Sequence, residues 1–234
     1  ARQLALGVDH RFPGGVELRL EAYSRTLSAR RPIFLNAEQD LKVFPEAAGD
    51  RIRLDRDRGR SRGIEMLLER KTGARWAWAA SYVLASAEDR IDGSWMPRGF
   101  DQRHAVTLQT VFNPSREWTF SMEWRFHTGW PATSWSWTVR PLDDGWNVWT
   151  QELGPLRALR LPAYHRLDIR IAREAFLRGG RLQLFLDLFN VYNRNNLASW
   201  DYSGSYEDGE LTVRRLNGQE LLPFLPTFGL RYEF

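Results

Sequence analysis

The sequence predicts an all-β protein, an antiparallel transmembrane β-barrel, and three observations point there. Apolar and polar residues alternate with period two in almost every segment, connections alternate between short and long, and eleven tryptophans stand against three methionines. Successive strand side chains point to opposite faces, so this alternation describes strands with one apolar and one polar face. A helix would repeat near 3.6 residues, and no long segment does.

Nine strands follow in order. The first is expected near 3–12 and ends at Pro13-Gly14-Gly15. The second, near 16–27, sets Val16, Leu18 and Leu20 against Glu17, Arg19 and Glu21. The third, near 61–71, sets Ile64, Met66 and Leu68 against Glu65 and Glu69, and turns at Lys71-Thr72-Gly73 into the fourth, near 74–88. The fifth, near 100–112, reaches Asn113-Pro114-Ser115. The sixth, near 117–128, carries Trp118, Phe120, Met122, Trp124 and Phe126 against Glu117, Glu123, Arg125 and His127. The seventh, near 163–176, sets Leu167, Ile169 and Ile171 against Arg166, Asp168 and Arg170. Arg178-Gly179-Gly180 leads into the eighth, near 181–190, where Leu182, Leu184, Leu186 and Leu188 alternate with Gln183, Phe185, Asp187 and Phe189. The ninth, near 223–234, closes with Phe228, Leu230, Tyr232 and Phe234. A further pairing of Leu211–Arg215 with Gln219–Leu222, turning at Asn217-Gly218, is expected to extend the last hairpin.

These strands exceed the roughly 5–6 residues of soluble sheets and match the roughly 9–11 of membrane-spanning ones. The short connections have turn chemistry. The long ones cover about 28–60, 89–99, 129–162 and 191–222. Sorting loops by parity is the pattern of outer-membrane barrels, with tight turns inside and long loops outside.

Composition removes several classes. Lys plus Arg number 33 and Asp plus Glu 29, a net charge of +4, which argues against a nucleic-acid partner. There is no cysteine, so disulfides, zinc knuckles and thiol catalysis are excluded. The longest run without a charged residue, Phe126 to Val139, contains Pro131 and is too short for a spanning helix. The chain opens with Ala1-Arg2-Gln3-Leu4, without a signal-like segment. An odd strand number, where single-chain bacterial barrels have even ones, leads to the expectation of a piece of a larger barrel.

The polar faces carry Glu17, Arg19, Glu21, Glu65, Glu69, Glu123, Arg125, Arg166, Asp168, Arg170, Asp187, Arg231 and Glu233. An arginine turned to lipid at the midplane costs about 2–4 kcal/mol, so these residues are expected to line a wet interior. The apolar face then meets acyl chains, with Trp76, Trp118 and Trp124 in interface girdles. A soluble lipocalin-like binding barrel would reverse the two faces.

Several runs resemble TonB-dependent outer-membrane receptors. Leu161-Pro162-Ala163-Tyr164-His165-Arg166-Leu167-Asp168-Ile169-Arg170 is similar to a late barrel strand of that family. Leu184-Phe185-Leu186-Asp187-Leu188-Phe189-Asn190-Val191-Tyr192-Asn193-Arg194-Asn195-Asn196 resembles its penultimate strand with the "NLFN..N" signature, Asp187 standing for the first Asn. Leu225-Pro226-Thr227-Phe228-Gly229-Leu230-Arg231-Tyr232-Glu233-Phe234 resembles its closing strand and terminal aromatic. Upstream, Gly63-Ile64-Glu65 with Tyr82, Asp101-Gln102-Arg103-His104, and Thr128-Gly129-Trp130-Pro131 resemble family residues. The resemblance covers nearly the whole chain and is most specific in its last seventy or so residues.

The resemblance implies the last nine strands of a barrel of about 22, over residues 1–234, with the plug domain absent. It implies energised uptake of a scarce solute, an iron–siderophore complex foremost, with a cobalamin or a glycan as alternatives. The implied partners are the small-molecule ligand, outer-membrane lipid and lipopolysaccharide, the barrel-assembly machinery, and the TonB energising complex through the plug region alone. Phe234 is implied as the residue read during assembly, in the outer membrane of a Gram-negative bacterium.

Candidate ligand contacts are the loop aromatics Trp130, Trp135, Trp137, Trp146 and Trp149, whose faces can stack on sugars or planar chelates. Loop closure or the outer belt would also account for them, and Arg140, Asp143 and Asp144 nearby are expected to keep the loop soluble. The loop 28–60 carries Arg30, Arg31, Arg51, Arg53, Arg56, Arg58 and Arg60 among Asp50, Asp55 and Asp57. It reads first as a solvated mixed-charge loop, and second as a site for an anionic chelate or lipopolysaccharide phosphates. His10, His104, His127 and His165 lie on different strands without ligand spacing, so no metal and no cofactor is expected. A small outer-membrane hydrolase of the protease or lipase kind would need a rim acid–base pair, and His127 near Asp143 and Asp144 is the one arrangement to weigh. The leading reading is a receptor without catalytic residues.

Overall fold

The computed structural model describes residues 1–36, 44–47, 49, 51–70, 75–143, 146–177, 179–207 and 210–234. Among them there is no α-helix, only one 3-10 turn at Pro45–Ala47. A single ten-stranded sheet dominates, and nine of its strands form one antiparallel path in chain order. They are β1 (Arg2–Phe12), β2 (Val16–Ser28), β3 (Arg56–Arg70), β4 (Trp76–Ile91), β5 (His104–Phe112), β6 (Trp118–His127), β7 (Tyr164–Leu177), β8 (Gly180–Phe189) and β9 (Leu225–Glu233). The tenth, Ser94–Pro97, folds back on β4. Among the described residues β1 and β9 each pair on one side only. The sheet is therefore open: part of a barrel wall, with two free edges.

All nine expected strands are present, and two begin elsewhere than the alternation suggested. β3 starts at Arg56 rather than near 61, so Arg58 and Arg60 belong to a strand and not to the loop. β5 starts at His104 rather than near 100, because Asp101 turns its carboxylate to the Ala87 N–H at 2.6 Å. The expected turn at Asn217-Gly218 is not the one used. Asn217 pairs with Trp200 in a hairpin of Trp200–Glu207 with Glu210–Asn217, and residues 208–209 that join it lie outside the described residues. The sequence offers Asp208-Gly209 there, the better two-residue turn signal. The turn at 71–73 and Arg178 are also outside the described residues.

Register carries each face intact across the sheet. One apolar row runs Val8, Leu20, Met66, Tyr82, Val106 and Phe126. One polar row runs Gln109, Glu123 and Asp168. Little of the apolar face is covered by protein: Leu4 and Leu6 are 74% exposed and Phe228 90%. Among the described residues buried apolar side chains are few: Leu54, Ile91, Leu161 and Ala172. A soluble barrel would fill its interior with such side chains. Here they face outward.

The polar face is the concave one. A depression of about 610 Å³ is lined by Gln109, Glu123, Asp168, Asp187 and Thr227, which come from five neighbouring strands. Only the inner side of a curved sheet can gather side chains from that many strands.

Candidate functional site

The concave wall is built by pairing charge along strands. Arg125 stands directly opposite Arg166, and Glu123 opposite Asp168, an arrangement that would repel if left alone. Each arginine instead turns to the carboxylate two residues away on its own strand, Arg125 to Glu123 and Arg166 to Asp168 at 2.7 Å. Arg166 also lies over the Phe189 ring at 3.7 Å, and Arg170 over Phe185 at 4.3 Å. That accounts for Phe185 and Phe189 on this face, since a guanidinium over a ring is attracted by its quadrupole. Arg170 reaches Asp187 at 3.2 Å. Arg231 and Arg181 converge on Glu233 at 2.7 and 2.6 Å near the short-turn end. Of the polar-face residues singled out from the sequence, Glu123, Arg125, Arg166, Asp168, Arg170, Asp187, Arg231 and Glu233 thus share one face. The Arg181–Glu233 and Arg231–Glu233 pairs are solvent-exposed, so each contributes at most about 1 kcal/mol, while Arg166–Asp168 is part-buried. Their effect is to make the wall polar.

At the long-loop end the wall rises into an aromatic stack. Register puts Tyr164 opposite His127, and their rings stack at 4.6 Å and 8°. Trp130 covers the His127 ring at 5.3 Å, and Phe100 meets Trp130 edge-on at 5.3 Å. The stack borders a cavity of about 450 Å³ shared with Gln102, Thr107 and Arg125. His127 Nδ1 lies 2.9 Å from the Thr128 carbonyl oxygen. Among the described residues no carboxylate is hydrogen-bonded to it, and Asp144 lies outside them. Among the described residues the acid–base pair a hydrolase would need is not assembled there.

Three of the five loop tryptophans lie on one hairpin. Trp130 belongs to the rim stack. Trp135 and Trp137 lie on the stem of a hairpin, Trp135–Pro141 paired with Asn147–Leu153. Trp146 is 74% exposed beside its turn. Trp149 pairs with Val139 through its backbone, and its side chain lies outside the described residues. The indole N–H groups of Trp130, Trp135 and Trp137 are buried with no acceptor among the described residues. Native proteins leave few such donors unmet.

Two anchors that sequence reading missed hold the outer loops. Asp89, 4% exposed, receives Arg56 at 3.0 Å, Arg98 at 3.1 Å and Arg30 at 3.3 Å. Burial, with the fields of Arg56 and Arg98, draws the Arg30 proton affinity below its ordinary value, and Asp89 opposes that. A bulge between Arg56 and Arg58 turns Arg56 onto the face of Asp89. Gly59 leaves the room: a Cβ there would lie 2.7 Å from Arg30 Nη1 and 2.8 Å from Asp89 Oδ1. The second anchor is Asn190, fully buried at φ +52°. Its N–H donates to Asp168 at 2.9 Å, its amide donates to the Arg194 and Leu222 carbonyls, and its oxygen accepts from the Arg194 N–H. Asn196 likewise holds both the N–H and the carbonyl of His165. The asparagine-rich run is a set of loop anchors.

Phe234 is fully exposed and follows Tyr232 on the apolar face. Among the described residues no group of three or more His, Asp or Glu is placed to hold a metal ion.

The chain is similar to the ferric citrate transporter FecA in its unliganded form, with a TM-score of 0.51 and 19% identity over 99% of this chain and 31% of that one. It is also similar to the ferripyoverdine receptor of the outer membrane of Pseudomonas aeruginosa bound to ferripyoverdine, with a TM-score of 0.48 and 13% identity over 84% of this chain and 24% of that one. The chain spans less than a third of the length of either protein. The first likeness shows the fold, a partial antiparallel β-barrel, and both neighbours are transporters or receptors rather than enzymes. No protein-family model and no curated sequence matches the chain.

Proposed function

We propose that residues 1–234 are the C-terminal wall of a TonB-dependent receptor barrel in the outer membrane of a Gram-negative bacterium. The barrel takes up a scarce solute, an iron–siderophore complex foremost. The observation that carries this reading is the separation of faces across nine strands: charges on the concave side, uncovered Leu, Phe and Tyr on the other. Water in a lumen suits the first and acyl chains the second.

The outer mouth is the ligand end in this reading. The unmet indole donors of Trp130, Trp135 and Trp137 supply hydrogen bonds, and Trp146 a stacking face. A ferric chelate presents both oxygen acceptors and planar rings or arms, and the likeness to a ferric citrate transporter supports that class. Coupling to TonB runs through a plug region, and Phe234 is the contact for the assembly machinery.

The test uses the intact protein purified from outer membranes. Its tryptophan fluorescence is followed while ferric complexes of citrate, hydroxamate and catecholate type are added, with cobalamin and oligosaccharides in parallel. One ferric class is expected to bind. Trp135→Ala with Trp137→Ala should weaken that binding about tenfold or more, the scale of two lost hydrogen bonds, at unchanged membrane level. Binding of cobalamin or a glycan alone would overturn the iron reading.

A further inference from the structure

Two outer connections meet at one short turn. Between β4 and β5 the chain folds Ser94–Pro97 back on β4 and then turns at Arg98–Asp101, where the Asp101 N–H donates to the Arg98 carbonyl at 2.9 Å. Ala87 of β4 holds that turn with both of its backbone groups. Its carbonyl accepts the Arg98 N–H at 2.9 Å, and its N–H donates to Asp101 Oδ1 at 2.6 Å. The buried Asp101 carboxylate thus stands in for a strand carbonyl, with its second oxygen left for another donor.

That donor comes from the connection between β6 and β7, residues 128–163. Arg160 Nη2 donates to Asp101 Oδ2 at 2.5 Å, and Nη1 to the Asp101 and Gly129 carbonyls at 2.9 and 3.0 Å. One guanidinium therefore ties the turn to both ends of that connection. Arg157 adds a longer bond to the Pro97 carbonyl at 3.3 Å, and Phe100 of the turn meets Trp130 edge-on. Arg98, at the start of the same turn, serves the connection between β2 and β3. It joins Arg30 and Arg56 on Asp89, and Arg56 donates to the Arg31 carbonyl at 2.7 Å.

Neither half is released alone at low cost. Without Arg160 the buried Asp101 carboxylate loses its counter-charge, and a buried charge left without its partner is strongly unfavourable. Its escape toward water takes the acceptor from the Ala87 N–H, so the turn that carries Arg98 loosens as well. Withdrawal of Arg98 then leaves Asp89 with Arg30 and Arg56 alone of its three guanidiniums. In the other direction, loosening at Asp89 frees Arg98 and unseats Asp101 from Arg160. Packed groups of this kind switch between discrete arrangements and do not deform gradually.

We propose that the turn Arg98–Asp101 is a coupler that makes the connections 29–55 and 128–163 loosen and tighten as one unit. A movement that starts beside Trp130, Trp135 or Trp137 then reaches Arg30 and Arg31. The coupler goes beyond the receptor reading and is tested without a ligand, so a failure to bind ferric complexes would count against that reading alone.

The test follows hydrogen exchange by mass spectrometry on the intact protein in detergent. Arg160→Gln should speed exchange about fivefold or more in peptides 29–36 and 51–55, the low end of coupling between sites, with β2 and β8 unchanged. Asp89→Asn should speed the same peptides, and Arg160→Gln added to it should bring no further gain, because both act through Arg98. Parent-like exchange in Arg160→Gln, or additive gains in the double variant, overturns the proposal. In the parent, sub-denaturing urea should accelerate peptides 29–36 and 155–161 with one common slope, as a single cooperative unit; this arm does not depend on how the variants fold. Two different slopes overturn the proposal.

Discussion

Gly229 stands opposite Phe185 in the β8–β9 register, and a Cβ on it would lie 2.2 Å from the Phe185 ring Cζ. The ring covers the glycine and in turn carries the Arg170 guanidinium at 4.3 Å. A residue without a side chain thus supports a charge on the strand beyond its neighbour. Gly229→Ala should destabilise the intact protein by about 1–3 kcal/mol through overpacking, measured by urea unfolding in detergent. With Phe185→Ala already present, the added cost should nearly vanish. An unchanged cost in the double variant would exclude the ring as the cause.

The second expectation concerns facing. Register places Phe120 opposite Ile171, and Ile169 opposite Met122, on the apolar face, while Arg125 and Asp168 lie on the other. Spin labels at these four positions in the membrane-inserted protein should report lipid contact at Phe120 and Ile169 and water contact at Arg125 and Asp168. A label at Asp168 more accessible to lipid than one at Ile169 would invert the wall.

These faces were legible in the sequence because period-two alternation is a local signal of a strand with one apolar and one polar side. Beyond the apolar rows the alternation stops. That is why the start of β3, where Arg56, Asp57, Arg58 and Arg60 are polar on both faces, read as loop. The site was less legible because it is made by long-range pairing. Nothing local to Tyr164 announces that its ring will lie on His127, and nothing local to Asp89 announces that Arg30, Arg56 and Arg98 will reach it from three segments. The five loop tryptophans were visible as a composition, but the hairpin that pairs Trp135–Pro141 with Asn147–Leu153 was not.

The third expectation tests the Asp89 anchor. Asp89→Asn leaves three guanidiniums around a neutral amide. Removing one partner from a buried charge group costs about 3–5 kcal/mol, and the partial exposure of Arg98 favours the lower end. The loss should be local. Protease cleavage within the loop 29–55 should accelerate while the urea midpoint of the barrel holds. Gly59→Ala, which pushes a methyl into the same group, should reproduce the pattern. Equal cleavage of parent and both variants would show that the loop is held elsewhere.

The last expectation separates the two roles of Asn190. Its side chain satisfies one backbone N–H and two backbone carbonyls where water is excluded, and its φ of +52° is a conformation that asparagine adopts more readily than alanine. Asn190→Gly removes the hydrogen bonds and leaves the backbone at ease. Asn190→Ala removes the same bonds and adds left-handed strain of about 1–2 kcal/mol. Each unmet buried group costs about 1–3 kcal/mol, so both variants should loosen the loop 191–224, and alanine should loosen it more. Hydrogen exchange at the Arg194 N–H reads the opening directly. Alanine and glycine giving equal exchange would show that the bonds alone hold the turn, and parent-like exchange in both would show that Asn190 holds nothing.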